Sequence, residues 1–289
     1  MKQGKKIFNH PFLNRHTVLG AILLAVYALA AAEGVFGAVF GGLFAALGGM
    51  ELYPLGVVPG ALLVLAIHKR WFYPEFEGNL RGGRPALGFK LGLLIVISWA
   101  MLPVGLLRHP ENYGPPTLAN LILALMAGFG EETAFRGLPL SYLMRQWKDE
   151  QKLPVALLLS SVLFSLVHLS NLLGGASISL TLVQLLSSLC MGFFFGAVYL
   201  RSGNLWPTIV YHTLHDVVAF LDVSTVSEGI MARAFQLSDL PDLLLSVVLG
   251  VVGFWLIRPA KRGEILALWR EKWQPLPEPA AEAEAGQSA

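Results

Sequence analysis

The sequence predicts an all-α fold: a polytopic membrane helical bundle of about eight transmembrane helices around a conical or bundle-like wet cavity. Three observations point there. The chain is 55% hydrophobic and 14% charged, whereas a soluble domain needs about 25% charge. Its apolar runs repeatedly approach the roughly 20 residues that a helix needs to cross a bilayer. Finally, the ionisable side chains inside those runs concentrate in three of them, the pattern expected where helices turn polar groups toward a shared interior.

The elements follow in order. A basic head, residues 1–16, carries Lys2, Lys5, Lys6 and Arg15 ahead of the first apolar run. Ala30-Ala31-Ala32 resembles a small-residue cleavage site. Apolarity nevertheless continues past Glu33 to Gly48, so the run reads as an uncleaved first span, tilted or broken at the glycines between Gly34 and Gly42. The eight candidate spans are residues 18–47, 53–68, 87–107, 117–146, 154–171, 178–200, 205–222 and 242–258. They group as N-terminal helices (17–116), a central core (117–222), a loop with the last span (223–258) and a tail (259–289). In the tail, Ile265, Leu266, Leu268, Trp269 and Trp273 alternate with Arg262, Arg270 and Lys272, which suits an amphipathic helix lying on a leaflet. Beyond it, Pro275 to Ala289 is rich in Pro, Ala and Glu and reads as disordered.

Charge placement sets the expected topology. All but three of the 21 Lys and Arg fall in the head, residues 69–90 and 145–153, Arg201, or the segment after Ile257; the exceptions are Arg108, Arg233 and Arg136. Positive residues mark the cytoplasmic side, so both termini are expected there, in a bacterial or archaeal cytoplasmic membrane. A net charge of +2 argues against a nucleic-acid partner; the basic groups sit at helix ends, where they meet membrane lipids. A single cysteine, Cys190, excludes an intrachain disulfide and a thiolate metal site. Gly37-x-x-x-Gly41 and Gly192-x-x-x-Gly196 permit close helix contact.

The chemistry gathers on three helices. The first carries Gly130-Glu131-Glu132-Thr133-Ala134-Phe135-Arg136, although one charge at a bilayer centre costs roughly 2.5–3.5 kcal/mol. Glu132 and Arg136, four apart, share a face and can pair. Glu131 is turned about 100° away, free to face a cavity, and suits a general base. On the next span, Phe164 lies one turn before His168 and limits the orientation of its imidazole. The third helix opens with Asn204 as N-cap and Pro207 in its first turn. His212 and Asp216 stack on one of its faces, with His215 at the border. Two imidazoles and a carboxylate at this spacing can hold a divalent metal or orient one another. The set suits hydrolysis: Glu131 deprotonates a water held by His168 or by a metal, and His212 stabilises the oxyanion. Gly175-Ala176-Ser177-Ile178 lacks the second glycine of a rhomboid-type Gly-x-Ser-Gly, and neither His-Glu-x-x-His nor Gly-x-Gly-Asp occurs.

With these residues in place, the chain resembles the CAAX-protease and bacteriocin-processing family of intramembrane endopeptidases, also called the Abi family. That family's pattern is Glu-Glu-x-x-x-Arg, Phe-x-x-x-His and His-x-x-x-Asn/Asp. Here it reads Glu131-Glu132-x-x-x-Arg136, Phe164-x-x-x-His168 and His212-x-x-x-Asp216, with Phe135-Arg136-Gly137 and Leu205-Trp206-Pro207 also typical. The resemblance implies proteolysis within the membrane, at a site open to the cytoplasm, on a peptide or protein substrate such as a lipidated C-terminus, or in bacteriocin maturation or immunity. It implies Glu131 as base, His168 as its partner, and His212 with Asp216 as oxyanion or metal ligands. Members are described both as metal-dependent and as glutamate-dependent, so zinc or another divalent metal on His168, His212 and Asp216 stays open. An ionised Asp216 can only accept hydrogen bonds, which favours metal ligation or orientation of His212; His215 is a rival for the place of His212.

Two other readings use the same residues. A catalytically silent immunity or scaffold protein would keep its effect after Glu131→Ala. A proton-coupled transporter would move charge across reconstituted vesicles without cutting peptides.

Overall fold

The structure, a computed structural model, describes residues 11–222 and 233–273. Among the described residues, seven helices are long and apolar enough to cross a membrane: α1 (Thr17–Gly48), α2 (Met50–Phe72), α3 (Pro85–Arg108), α4 (Leu118–Gln146), α5 (Glu150–Gly174), α6 (Ile178–Ser202) and, after the shorter α7 (Trp206–Ala219), α8 (Leu237–Leu256). The remaining expected span is α7, which runs from beside the α2–α3 loop, where Asn204 and Leu205 meet Gly82 and Asn79, to beside the α3–α4 loop, where Leu221 and Asp222 meet Gly114 and Tyr113. Its 14 residues rise only about 21 Å, less than the roughly 30 Å hydrocarbon layer. It is held inside the bundle, packed on α4, α6 and the start of α3. No strand occurs among the described residues, only an isolated bridge between Tyr113 and Asp222.

Sequence explains the starts and stops. Thr117 and Ser177 cap α4 and α6 by accepting from the amides of Asn120 at 3.2 Å and Leu180 at 3.3 Å. Prolines open α3, the α-helical part of α5, α7 and α8, where a missing amide proton costs nothing. Gly203 ends α6 with φ +62°, a left-handed stop that other residues resist; a side chain there would also press on Leu268 and Lys272. α1 is neither broken nor interrupted at its glycines. It continues through a π-helical segment, Ala30–Val35, and its glycines let the start of α2 approach, with Gly56 set against the backbone of Gly37 and Gly41.

α4 is the axis of the molecule. Every residue from Glu132 to Met144 is buried, so a helix amphipathic at its start is enclosed on all sides by its end. Pro139 lies in this stretch, where its ring removes an amide donor and displaces the carbonyl four residues earlier. The helix widens into a π segment, Thr133–Leu140, and the freed Phe135 carbonyl accepts from Ser160 Oγ of α5 at 2.8 Å. α6 packs between α5 and α8.

The expected leaflet-lying helix is present as α9 (Pro259–Lys272), but its apolar face is turned into the protein. Trp269 is 1% exposed and donates from its indole to the Leu200 carbonyl at 3.0 Å. The buried Lys272 ammonium meets Glu77 at 3.0 Å and the Arg81 carbonyl at 2.8 Å; burial pulls its pKa below the usual lysine value while Glu77 opposes that pull. The disordered tail expected from Pro275 to Ala289 lies outside the described residues.

Ser160→Ala leaves the Phe135 carbonyl buried without its donor and is expected to lower stability by about 1–3 kcal/mol. The midpoint of unfolding in mixed micelles measures this. An unchanged midpoint would show that another group satisfies the carbonyl.

Candidate active site

α4 delivers its two adjacent carboxylates to different surroundings. Glu132 and Arg136 are fully buried and joined at 3.0 Å, and the Arg136 guanidinium lies 4.2 Å from the centre of the Phe164 ring. Glu131 is 25% exposed and lines a cavity. The expected division, one paired carboxylate and one facing open space, is the division observed. The sequence reading missed a second partner of Glu132: its Oε1 also accepts from His212 Nδ1 at 2.8 Å. No local spacing could reveal a bond across 80 residues.

On α5, His168 sits where α-helix gives way to a 3-10 turn. Its Nδ1 donates to the Phe164 carbonyl at 3.0 Å, and because a carbonyl only accepts, that contact assigns the proton to Nδ1 and leaves Nε2 as the acceptor in the neutral ring. Phe164 meets the imidazole edge-on, with centroids 5.2 Å apart at 87°. One phenylalanine thus supports His168 and Arg136 together.

α7 is seated before its first turn. Asn204 Oδ1 accepts from the Trp206 amide at 3.0 Å, and the side-chain amide of Asn204 donates to Gly82 at 3.0 Å. His212 is then stacked on Phe195, 5.2 Å away at 19°, and met at 90° by Phe164. With Nδ1 committed to Glu132, its Nε2 faces Glu131 at 3.6 Å and Asp216 at 3.9 Å. His215, the rival, turns toward α3 instead: Trp99 donates to its Nδ1 at 3.3 Å, with Ser98 Oγ also at 3.3 Å. The structure therefore brings His212, not His215, to Glu131.

Glu131, Phe164, His168, His212, His215 and Asp216 all line one cavity of about 330 Å³. Its far wall is formed by Gln184, Ser187 and Ser188 of α6 and Ser246 of α8, none of which the sequence reading singled out. A signal for the first three was present: they lie three and four apart, on one face of an otherwise apolar helix. Glu33, from the π segment of α1, also comes near; a side chain at Gly130 would press on its carboxylate.

The donor types of a metal site are here, but their arrangement is not. Among the described residues no group of three or more His, Cys, Asp or Glu converges to hold an ion, and the expected trio of His168, His212 and Asp216 is not such a group. As placed, these residues fit mutual orientation better than metal ligation.

A family model described as Type II CAAX prenyl endopeptidase Rce1-like matches residues 114–218. The chain is similar to that family over just over a third of its length, in the part that supplies α4, α5, α6 and most of α7. The match contains each residue of the three motifs and agrees with the resemblance that they carry. Searches of curated proteins and of solved structures gave no match.

Removing one partner of a fully buried ion pair strands the other charge, at a cost of about 3–5 kcal/mol. Glu132→Gln and Arg136→Ala are accordingly expected to lower the unfolding midpoint sharply. Unchanged midpoints with selective loss of activity would instead place Glu132 in the chemistry.

Proposed function

We propose that the chain is an intramembrane endopeptidase of the CAAX type, hydrolysing a peptide bond near the C-terminus of a peptide or protein. The observation that carries this reading is a carboxylate, Glu131, facing His212 Nε2 at 3.6 Å on the wall of a cavity it shares with His168, while the adjacent Glu132 is neutralised by Arg136. A volume of about 330 Å³ is at the lower end of the range of ligand pockets, roughly 300–1,000 Å³, enough for the residues flanking a scissile bond.

Water enters between Glu131 and His168, whose Nε2 accepts one of its hydrogen bonds. Glu131 takes a proton from the water as its oxygen adds to the carbonyl carbon. The resulting oxyanion accepts from His212 Nε2–H, which requires the imidazolium form, with the Glu132 and Asp216 carboxylates as counter-charges. Collapse breaks the C–N bond, and Glu131 returns its proton to the departing amine. Asp216 and Glu132 hold the ring of His212; His215, tied to Trp99, shapes the wall. The placement of basic residues supports both termini on the cytoplasmic side, and the family match supports a lipidated C-terminus as substrate.

Glu131→Gln cannot accept the water proton. Turnover of a prenylated CAAX peptide by the purified variant is expected to fall by about 10²–10⁴-fold with the unfolding midpoint retained. Cleavage at the wild-type rate would remove Glu131 from the role of base. In this metal-free reaction, exhaustive chelation is expected to leave wild-type turnover within about twofold; loss on chelation and recovery with zinc would overturn it.

A further inference from the structure

Far from these motifs, α2 changes character within one turn. Leu62, Leu65 and Ala66 give way to Lys69 and Arg70, followed by Trp71, which is 66% exposed. An exposed tryptophan beside cations at the end of a membrane helix marks the boundary between hydrocarbon and water. At that level a pocket of about 500 Å³ lies between the helix and the following loop, which adds Asn79, Leu80 and Arg81 to its wall.

The polar half of this pocket consists of donors. Arg70 and Arg81 are exposed and are not among the ion-paired residues. Glu77, the one carboxylate among the lining residues, is paired with Lys272 at 3.0 Å. Asn79 is 3% exposed; its Oδ1 accepts from the Tyr199 hydroxyl, but its buried Nδ2 has no hydrogen-bond partner. A buried amide donor costs free energy unless something accepts from it. The apolar half, on α2, includes Leu62, 37% exposed.

We propose that this pocket binds an anionic phospholipid, its phosphate held by Arg70, Arg81 and Asn79 Nδ2 and an acyl chain laid along Leu62, Leu65 and Ala66. A phosphodiester supplies acceptors without donors and answers the fork geometry of arginine, and basic pockets beside membrane helices select such headgroups. The loop that forms this pocket also seats α7: the Asn79 carbonyl accepts from the Leu205 amide at 2.9 Å. The headgroup therefore braces the segment from which the His212 helix starts.

The test uses native mass spectrometry of the full-length protein in detergent, with equal phosphatidylglycerol and phosphatidylcholine. Wild type is expected to retain phosphatidylglycerol over phosphatidylcholine by about tenfold or more, since two basic residues face the headgroup. The double variant Arg70→Gln/Arg81→Gln is expected to lose that preference, and Arg108→Gln, at the other end of α3, to keep it. Excess glycerol phosphate is expected not to displace the lipid. Equal retention of both lipids, a preference surviving in the double variant, or its equal loss in Arg108→Gln would overturn the site. Displacement by glycerol phosphate at concentrations matching the lipid would overturn the lipid as its occupant. Should the double variant unfold, Arg70→Lys/Arg81→Lys keeps the charge and must keep the preference.

Discussion

A carboxylate with no exposure inside a membrane bundle survives only when its charge is answered on the spot, and Glu132 is answered twice. Arg136 reaches it from one turn along the same helix, and His212 from a helix 80 residues later. The first contact is local and could form in an isolated helix. The second closes the bundle, because it fixes how α7 is rotated against α4. Once Nδ1 of His212 is held by Glu132, the opposite nitrogen has one direction to face, and that direction holds Glu131 and Asp216. Taking either partner away leaves a buried charge only half answered, and its desolvation is costly. The arrangement of the cavity thus follows from satisfying one carboxylate.

The backbone around this group is shaped by a comparable need. Pro139 cannot complete the α-helical pattern, and α4 widens into a π segment that begins at the residue after Glu132. Such segments recur at functional sites because they rotate the residues before them relative to those after. Here Arg136 still meets Glu132 at 3.0 Å across the widening, while the orphaned Phe135 carbonyl is joined to α5 through Ser160. The same α5 carries Phe164, whose ring lies against the Arg136 guanidinium and meets the His168 and His212 imidazoles. Backbone accommodation and site geometry are therefore one piece of packing.

A second layer acts from outside the membrane core. The loop after α2 and helix α9 clasp each other through Lys272, Glu77 and the Arg81 carbonyl, and together they flank the turn between α6 and α7. The short α7, 14 residues long, is fixed by its neighbours. Its position rests on Asn204, on the Asn79 carbonyl and on the Phe195 stack. This explains why the apolar stripe of α9 is spent on the protein: Trp269 and Leu268 cover the end of α6.

Composition and run length by themselves determined that this is a membrane bundle of helices, because burial of apolar surface and backbone hydrogen bonding in lipid leave no other solution for such a chain. Spacing determined the Glu132–Arg136 pair and the different directions in which Glu131 and Glu132 point, since helical geometry ties residues four apart and separates neighbours. The ordered motifs carried the family resemblance. Spacing favoured His212, four residues before Asp216, over His215, and the tertiary structure supplied the contacts that separate them, Glu132 against one and Trp99 against the other. It also decided that α9 faces inward. Those outcomes depend on contacts between residues far apart in the chain, and no periodicity within a single helix encodes them.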